Sequence, residues 1–282
     1  MGGFLDYLSQ RGFGKLSGVE MTETYTEHAR IKNRYRIEQG NAESLPFNNH
    51  AFDVIVMEQV LEHLANPAKA FQEARRVLRN GGIFCVGIPD ASRYADLYFF
   101  DFYWLLLREH IQHFDVEHLN LLAIREGFEM LEDRQTVHAV MSERMVMPNL
   151  YVIFRLSDSV ETTKTNLPYD GSLKRHMGNY INQEKLKQSI KTRRIAELSR
   201  SRKPVHVWGI GREFLYLYES AGLKSCNIIG LIDMNQLKQN SCSVNGMNIA
   251  GGGSWRESSA DCVLLITAIA HIDSIRHTAK AL

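Results

Sequence analysis

The chain has 282 residues, a formal net charge of +1 and a hydrophobic fraction of 44%. That length suits two domains, and the near-neutral balance with only 6 prolines argues against a disordered chain or a polycation made for nucleic acid or a membrane surface. No apolar run reaches the roughly 18 residues of a membrane span, the N-terminus lacks the order of a secretory signal, and Cys85, Cys226, Cys242 and Cys262 show no paired spacing. A cytoplasmic protein with reduced thiols and no metal site is therefore expected.

In chain order, Gly3 to about Arg11 reads as a helix with Phe4, Leu5 and Leu8 on one face, broken by Gly12 and Gly14. A short strand at Leu16–Glu20 ends in an acid, a helical stretch runs through Ala29, and a second short strand covers Arg36–Gly40. A loop spans Asn41–Phe47. The run Phe52–Met57 then has the length and β-branched content of a strand buried on both faces, as in a parallel sheet. It stops at Glu58-Gln59, and Glu62-His63 follows. Ligands of open α/β sheets sit beyond the carboxyl ends of such strands, so these polar groups are candidates for a site.

Asn66 can cap a helix and Pro67 can open it. Phe71, Ala74, Val77 and Leu78 form its apolar stripe, and Asn80-Gly81-Gly82 is the expected left-handed stop before the strand Ile83–Ile88. This strand, helix, strand alternation is the sequence form of an α/β fold with a parallel sheet. Residues 91–118 are heavily aromatic (Tyr94, Tyr98, Phe99, Phe100, Phe102, Tyr103, Trp104) and read as a helical insert forming a lid or wall. A helix at Leu119–Glu126 is closed by Gly127, and Phe128–Leu131 with Asn149–Phe154 are expected to form an antiparallel edge pair. Residues 157–203 read as a linker with a bridging helix from about Gln183. From Pro204 a second, smaller α/β domain begins: a strand from Val205 into Gly209-Ile210-Gly211, a helix through Ala221, strands at Ile228–Asp233 and Asp261–Thr267, and a helix from about Asp273.

Several segments occur in an informative order: Gly2-Gly3-Phe4-Leu5, Gly18-Val19-Glu20, Gly40-Asn41-Ala42-Glu43-Ser44-Leu45-Pro46-Phe47, Phe52-Asp53-Val54-Ile55-Val56, Val60-Leu61-Glu62-His63-Leu64 and Arg76-Val77-Leu78-Arg79-Asn80-Gly81-Gly82. As an ordered set, over about residues 2–156, they resemble a class I S-adenosylmethionine-dependent methyltransferase. The resemblance implies a Rossmann-like sheet and S-adenosyl-L-methionine as cofactor. It places Gly2 and Gly3 in the glycine loop, Glu20 on the ribose hydroxyls, Met21 near the adenine and Asn41 with Ala42 at the adenine edge. Glu58 and Gln59 would face the methionine end. Asn41 stands where the family usually has Asp; its side-chain oxygen can still accept from the adenine amino group. Family members carry a further strand ahead of this loop, so the first strand of the sheet is expected to be missing here.

The segment Glu109-His110-Ile111-Gln112-His113-Phe114, with Gly127-Phe128-Glu129 beyond it, is similar to the Glu-His-x-x-Tyr-Phe segment of sugar C-methyltransferases. That likeness implies His110 as general base, with His113 in the place of the Tyr. Imidazole titrates near neutrality and suits such a role. A zinc site on His110, His113 and His118 lacks the remaining ligands and is not expected. Trp208-Gly209-Ile210-Gly211, Gly230-Leu231-Ile232-Asp233, Asn245-Gly246 and Asp261–Ala268 resemble the C-terminal Rossmann-like domain of the same enzymes. The expected domains are residues 1–156, a linker at 157–203 and residues 204–282. The expected activity is methyl transfer to a small, sugar-like or nucleotide-sugar acceptor, without nucleic acid or membrane partners. The alternative is an inactive methyltransferase-like binding module. A nicotinamide oxidoreductase built on Gly209–Asp233 is a third reading, opposed by Phe214 at the place of the third glycine.

Overall fold

The computed structural model describes residues 3–32, 35–96, 103–106, 109–139, 146–157, 171–257 and 261–281. Its contacts divide the chain into two compact units. The first comprises Met1–Arg93, Leu105–Val137 and Pro148–Lys174; the second comprises Tyr94–Trp104, His138–Met147 and Arg175–Leu282. Both are α/β in kind.

The first unit opens with α1 (Gly3–Gln10), β1 (Ser17–Glu20), α2 (Glu23–Lys32) and β2 (Arg36–Gln39). β1 and β2 pair in parallel, Ser17 opposite Arg36 and Glu20 opposite Gln39. Next come β3 (Phe52–Glu58), α3 (Pro67–Val77), β4 (Leu78–Pro89), α4 (Val116–Arg125), β5 (Phe128–Ala139) and β6 (Val146–Leu156). They form a four-stranded sheet in the order β3-β4-β6-β5, with β3 parallel and β6 antiparallel to β4. The core is aromatic. Phe71 of α3, fully buried, meets Phe84, Phe128 and Phe154 edge-on at centroid distances of 5.0, 5.6 and 5.8 Å.

Three local expectations change. β3 is not buried on both faces: Val54 is 52% and Val56 43% exposed. The reason is its position at the end of its sheet; among the described residues β1 and β3 are not paired with each other, and each has one free edge. Likewise, α3 is not stopped by Asn80-Gly81-Gly82. It ends at Val77 because Leu78 turns extended to join β4, and the positive φ of Gly81 serves a bulge within that strand. Third, the helix α4 begins three residues early, at Val116, because the Asp115 side chain accepts from His118 N at 2.8 Å and caps it.

The loop after β2 is held by α3. Arg76 forms a bidentate pair with Glu73 (2.8 and 2.7 Å) and donates to the carbonyls of Leu45 (2.9 Å) and Phe47 (2.7 Å). Glu73 in turn accepts from Leu45 N at 2.8 Å. The Arg76 guanidinium holds the Glu73 carboxyl below the usual carboxylate range.

In the second unit the helix α5 runs from Ser172 to Ser201, eleven residues earlier than the expected start at Gln183. Its buried positions, Tyr180, Glu184, Gln188 and Ile195, keep helical spacing but include two polar residues, so the apolar pattern does not reveal it. Glu184 accepts from Tyr103 N at 3.1 Å and from Lys187 at 3.2 Å, and the Tyr94 ring packs on Tyr180 at 5.5 Å. The described ends of the aromatic insert thus pack within the second unit; Tyr98, Phe99, Phe100 and Phe102 lie outside the described residues. β7 (Val205–Trp208), α6 (Arg212–Glu219), β8 (Ile228–Ile232), α7 (Gln236–Ser241), β9 (Ser243–Val244), β10 (Met247–Ala250), β11 (Val263–Ile266) and α8 (Ile272–Ala281) complete the unit. Its sheet has the order β11-β7-β8-β10-β9. Among the described residues no helix is long and apolar enough to cross a membrane.

Because its folded-state pKa is depressed, Glu73 contributes stability that is complete above its unfolded pKa and is lost as pH falls through the folded value. Glu73→Gln should cost about 1 kcal/mol at pH 7 after allowance for solvent screening. Urea denaturation should show that difference closing as pH drops below about 4; a gap unchanged in acid would show that charge is not its source.

Candidate functional site

The free edges of β1 and β3 and the loop after β2 border one cavity of about 600 Å³. That volume is in the range of small-molecule and cofactor sites. Six of the eight sequence-expected cofactor residues line it: Glu20, Met21, Asn41, Ala42, Glu58 and Gln59. Gly3 opens α1 and is not among the lining residues, and Gly2 lies outside the described residues.

Glu20 ends β1. One carboxylate oxygen accepts from Thr22 N at 2.9 Å, and the other makes no hydrogen bond within the described residues. Gly40 N donates to Glu20 O at 3.1 Å, which sets the start of the loop beside the acid. Asn41 then closes a tight turn, its carbonyl accepting from Ser44 N at 3.2 Å. Met21, 72% exposed, offers its side chain at the rim.

At the other end of the cavity, Glu58 is opposite Gly87 in the β3–β4 register. Its carboxylate lies directly over that glycine: a Cβ at 87 would stand 1.8 Å from Glu58 Oε2 and 2.8 Å from the Tyr151 ring. Tyr151 donates its hydroxyl to Glu58 Oε1 at 3.1 Å. Burial first, and the Glu58 charge second, raise the Tyr151 pKa, so the phenol keeps its proton and remains a donor. Gln59 has φ +52, donates its backbone N–H to Gly87 O at 2.8 Å, and gives its side-chain amide to the buried Asn149 at 2.7 Å. Gly87, Asn149 and Tyr151 are the residues that sequence reasoning missed here. They come from neighbouring strands, and nothing in their local sequence marks them.

His110 and His113 do not line the cavity, but His63 does, and it links them to it. Leu61–His63 is a short 3-10 turn whose Glu62 carbonyl accepts from Ile111 N and Gln112 N, both at 3.0 Å. These bonds bring the His63 and His110 rings to a centroid distance of 4.9 Å. His63 Nδ1 lies 2.7 Å from Glu109 O, which leaves Nε2 directed at Glu62 Oε1, 3.7 Å away. Glu62 is 2% exposed, and neither of its oxygens has a hydrogen-bond partner; His110 Nδ1 is likewise buried without one. Desolvation pushes the Glu62 carboxyl up to about 7. Burial, then the proximity of His63, lowers His110, and burial, then His110, lowers His113 to about 4. Both imidazoles are therefore neutral at pH 7. His118 has a different role, with Nδ1 2.7 Å from Asp115 at the cap of α4.

In the second unit the acid after β8 is already engaged. Asp233 accepts from Ile210 N (2.8 Å), Asn235 N (2.9 Å) and Lys238 Nζ (2.8 Å), and the same ammonium donates to Ile210 O at 2.7 Å. Phe214 is fully buried where a third glycine would let a helix approach a pyrophosphate. Neither feature suits a dinucleotide.

Residues 1–86 match a family model described as "Methyltransferase domain". An "Uncharacterized 37.1 kDa protein in transposon TN4556" from Streptomyces fradiae is 36% identical over 81 residues, covering 27% of this chain and 24% of that protein. A "Probable S-adenosylmethionine-dependent methyltransferase" from Mycolicibacterium smegmatis is 38% identical over 82 residues, covering 29% of this chain and 32% of that one. The chain thus spans about a quarter to a third of the length of these curated relatives. Among solved structures, an S-adenosylmethionine-dependent methyltransferase from Mesorhizobium loti aligns with a TM-score of 0.44 at 17% identity, over 54% of this chain and 85% of its own.

The close approach at Gly87 has a direct consequence. Gly87→Ala must displace the Glu58 carboxylate and the Tyr151 ring, at a cost of about 1–3 kcal/mol. Thermal unfolding should show the loss, and adding Glu58→Ala should recover part of it; full additivity of the two changes would refute the contact.

Proposed function

We propose that this chain, whose residues 1–86 match a family model for a methyltransferase domain, is a class I S-adenosylmethionine-dependent methyltransferase that transfers a methyl group from S-adenosyl-L-methionine to a small, sugar-like acceptor. The observation that carries this is the convergence of Glu20, Asn41 and Glu58 on one cavity within the matched segment. Three features fit the cofactor: an acid with a free oxygen for vicinal hydroxyls, a side-chain amide beside it, and a second acid at the far end for a cationic group. Bound there, the cofactor supplies an electrophilic methyl carbon on a sulfonium.

The protein's own task is then alignment and proton removal. His110 is neutral, and its Nδ1 lone pair is buried and unengaged beside His63 at the cavity wall. With the cofactor bound, that nitrogen would take the acceptor's proton as the acceptor is methylated. His113 lies next in line and stays neutral, favouring a mobile proton on His110 over a fixed charge. In this reading residues 1–156 form the catalytic domain, 157–203 a linker with a bridging helix, and 204–282 a Rossmann-like domain, all in a cytoplasmic enzyme.

A second reading, a methyltransferase-like module that binds without turnover, is favoured by one observation: the cavity is bordered by two unpaired strand edges, and Gly3 stands away from it. Calorimetric titration with S-adenosylmethionine and S-adenosylhomocysteine separates the two. Micromolar binding, lost in Glu20→Ala, is expected of the enzyme; a folded protein that binds neither would be the module. His110→Ala should lower turnover about 100-fold or more while cofactor affinity stays within about twofold. Equal turnover would remove His110 from the base role.

A further inference from the structure

We propose that Glu62, His63 and His110 form a binding site for a divalent transition-metal ion at the wall of the cavity. The first ground is chemical identity. Two imidazoles and one carboxylate make up the three-ligand set of open zinc sites and of non-haem iron sites, in which a further position remains for water or substrate. The second is geometry: one ligand atom from each residue lies within 4.8 Å of the other two, and His63 Nε2 is 3.7 Å from Glu62 Oε1. Ligand atoms sharing one ion at about 2.1 Å stand roughly 3–4 Å apart, so the His63–Glu62 pair fits, and the other separations lie within 4.8 Å.

The third ground is independent of both. The Glu62 side chain is 2% exposed, and neither oxygen has a hydrogen-bond partner among the described residues. A carboxylate withdrawn from water without partners is costly, and such groups are found paired or on metals. His63 is the nearest polar neighbour, and it is neutral unless protonated. A cation between them supplies what the carboxylate lacks. The ligand rings are also braced: His63 Nδ1 is held by Glu109 O at 2.7 Å, and the His110 ring is hydrogen-bonded to the backbone of Leu105, leaving Nδ1 without a partner. Backbone support of one imidazole nitrogen with the other left for the ion is how protein metal sites orient histidine. Two nitrogen ligands select zinc, iron, copper or nickel over magnesium and calcium.

The inference rests on the proposed methyl transfer for its consequence, though not for the site itself. With the ion bound, His110 would be a ligand and its lone pair would no longer be open to the acceptor's proton, so metal loading should slow the proposed methyl transfer.

The test is titration of the chelator-treated full chain with Co²⁺, followed by visible absorption, and with Zn²⁺ and Mg²⁺, followed by calorimetry. One equivalent of Co²⁺ or Zn²⁺ should bind, with Mg²⁺ far weaker. Glu62→Gln and the half-exposed His63→Ala should each weaken binding at least roughly 100-fold while circular dichroism shows a folded protein. Failure to reach one equivalent, or binding unchanged in both variants, overturns the site. Cofactor calorimetry is read separately. If S-adenosylmethionine binds and turnover falls in His110→Ala, the base role stands; turnover in chelator that is unchanged when one equivalent of Zn²⁺ is added would overturn the metal's effect on it. If metal binds in the expected pattern but no cofactor does, the site stands and the methyl-transfer reading fails.

Discussion

The parallel register of β3 on β4 is the constraint from which the candidate site is built. Because Glu58 falls opposite Gly87, a carboxylate can lie flat on a strand that presents no side chain there, with Tyr151 of the next strand closing over it. The same register brings Gln59 N within 2.8 Å of Gly87 O and so turns the chain at a positive φ immediately after the strand. That turn aims Leu61–His63 at the segment carrying His110. A slip of one residue would invert every side chain of β3 and dissolve the whole arrangement.

Two further devices hold the cavity open to a ligand. Arg76 and Glu73, one turn apart on α3, take up both carbonyls and an amide of the loop at Leu45–Phe47, fixing backbone that would otherwise have to be solvated. Gly40 ties the same loop to the end of β1. The loop residues that line the cavity are thereby positioned by α3 and by β1. Among the described residues β1 and β3 each have an unpaired edge, and Val54 and Val56 of β3 are exposed; such edges invite further pairing.

The second unit shares the strand, glycine turn, helix, strand, acid plan and uses it differently. Asp233 spends its oxygens on Ile210 N, Asn235 N and Lys238, so the acid is a structural staple for the glycine turn. Its carboxyl stays below the usual range because those three donors outweigh its burial. The similarity of plan between the two units therefore does not imply similarity of ligand.

Much of the fold was legible from the chain alone, because local chemistry specifies it. Asn66 and Pro67 start α3 through a cap and a preset φ, Gly127 ends α4 at a positive φ, and the apolar stripe Phe71, Ala74, Val77, Leu78 is buried as its spacing demands. Residues that line the cavity, such as Glu20 and Glu58, could also be picked out, since both end strands. Other features depended on partners distant in sequence. The exposure of Val54 and Val56 is set by what lies beside β3, and the start of α5 is masked because Glu184 and Gln188 occupy its buried face. Most of all, nothing in the sequence joins Glu62 and His63 to His110; the backbone bonds from Ile111 and Gln112 to Glu62 bring the His63 and His110 rings together. Sequence by itself determined the elements and the strand ends where chemistry could gather. Only the tertiary structure decided which side chains meet there, because burial and hydrogen bonding between remote segments are properties of the folded chain.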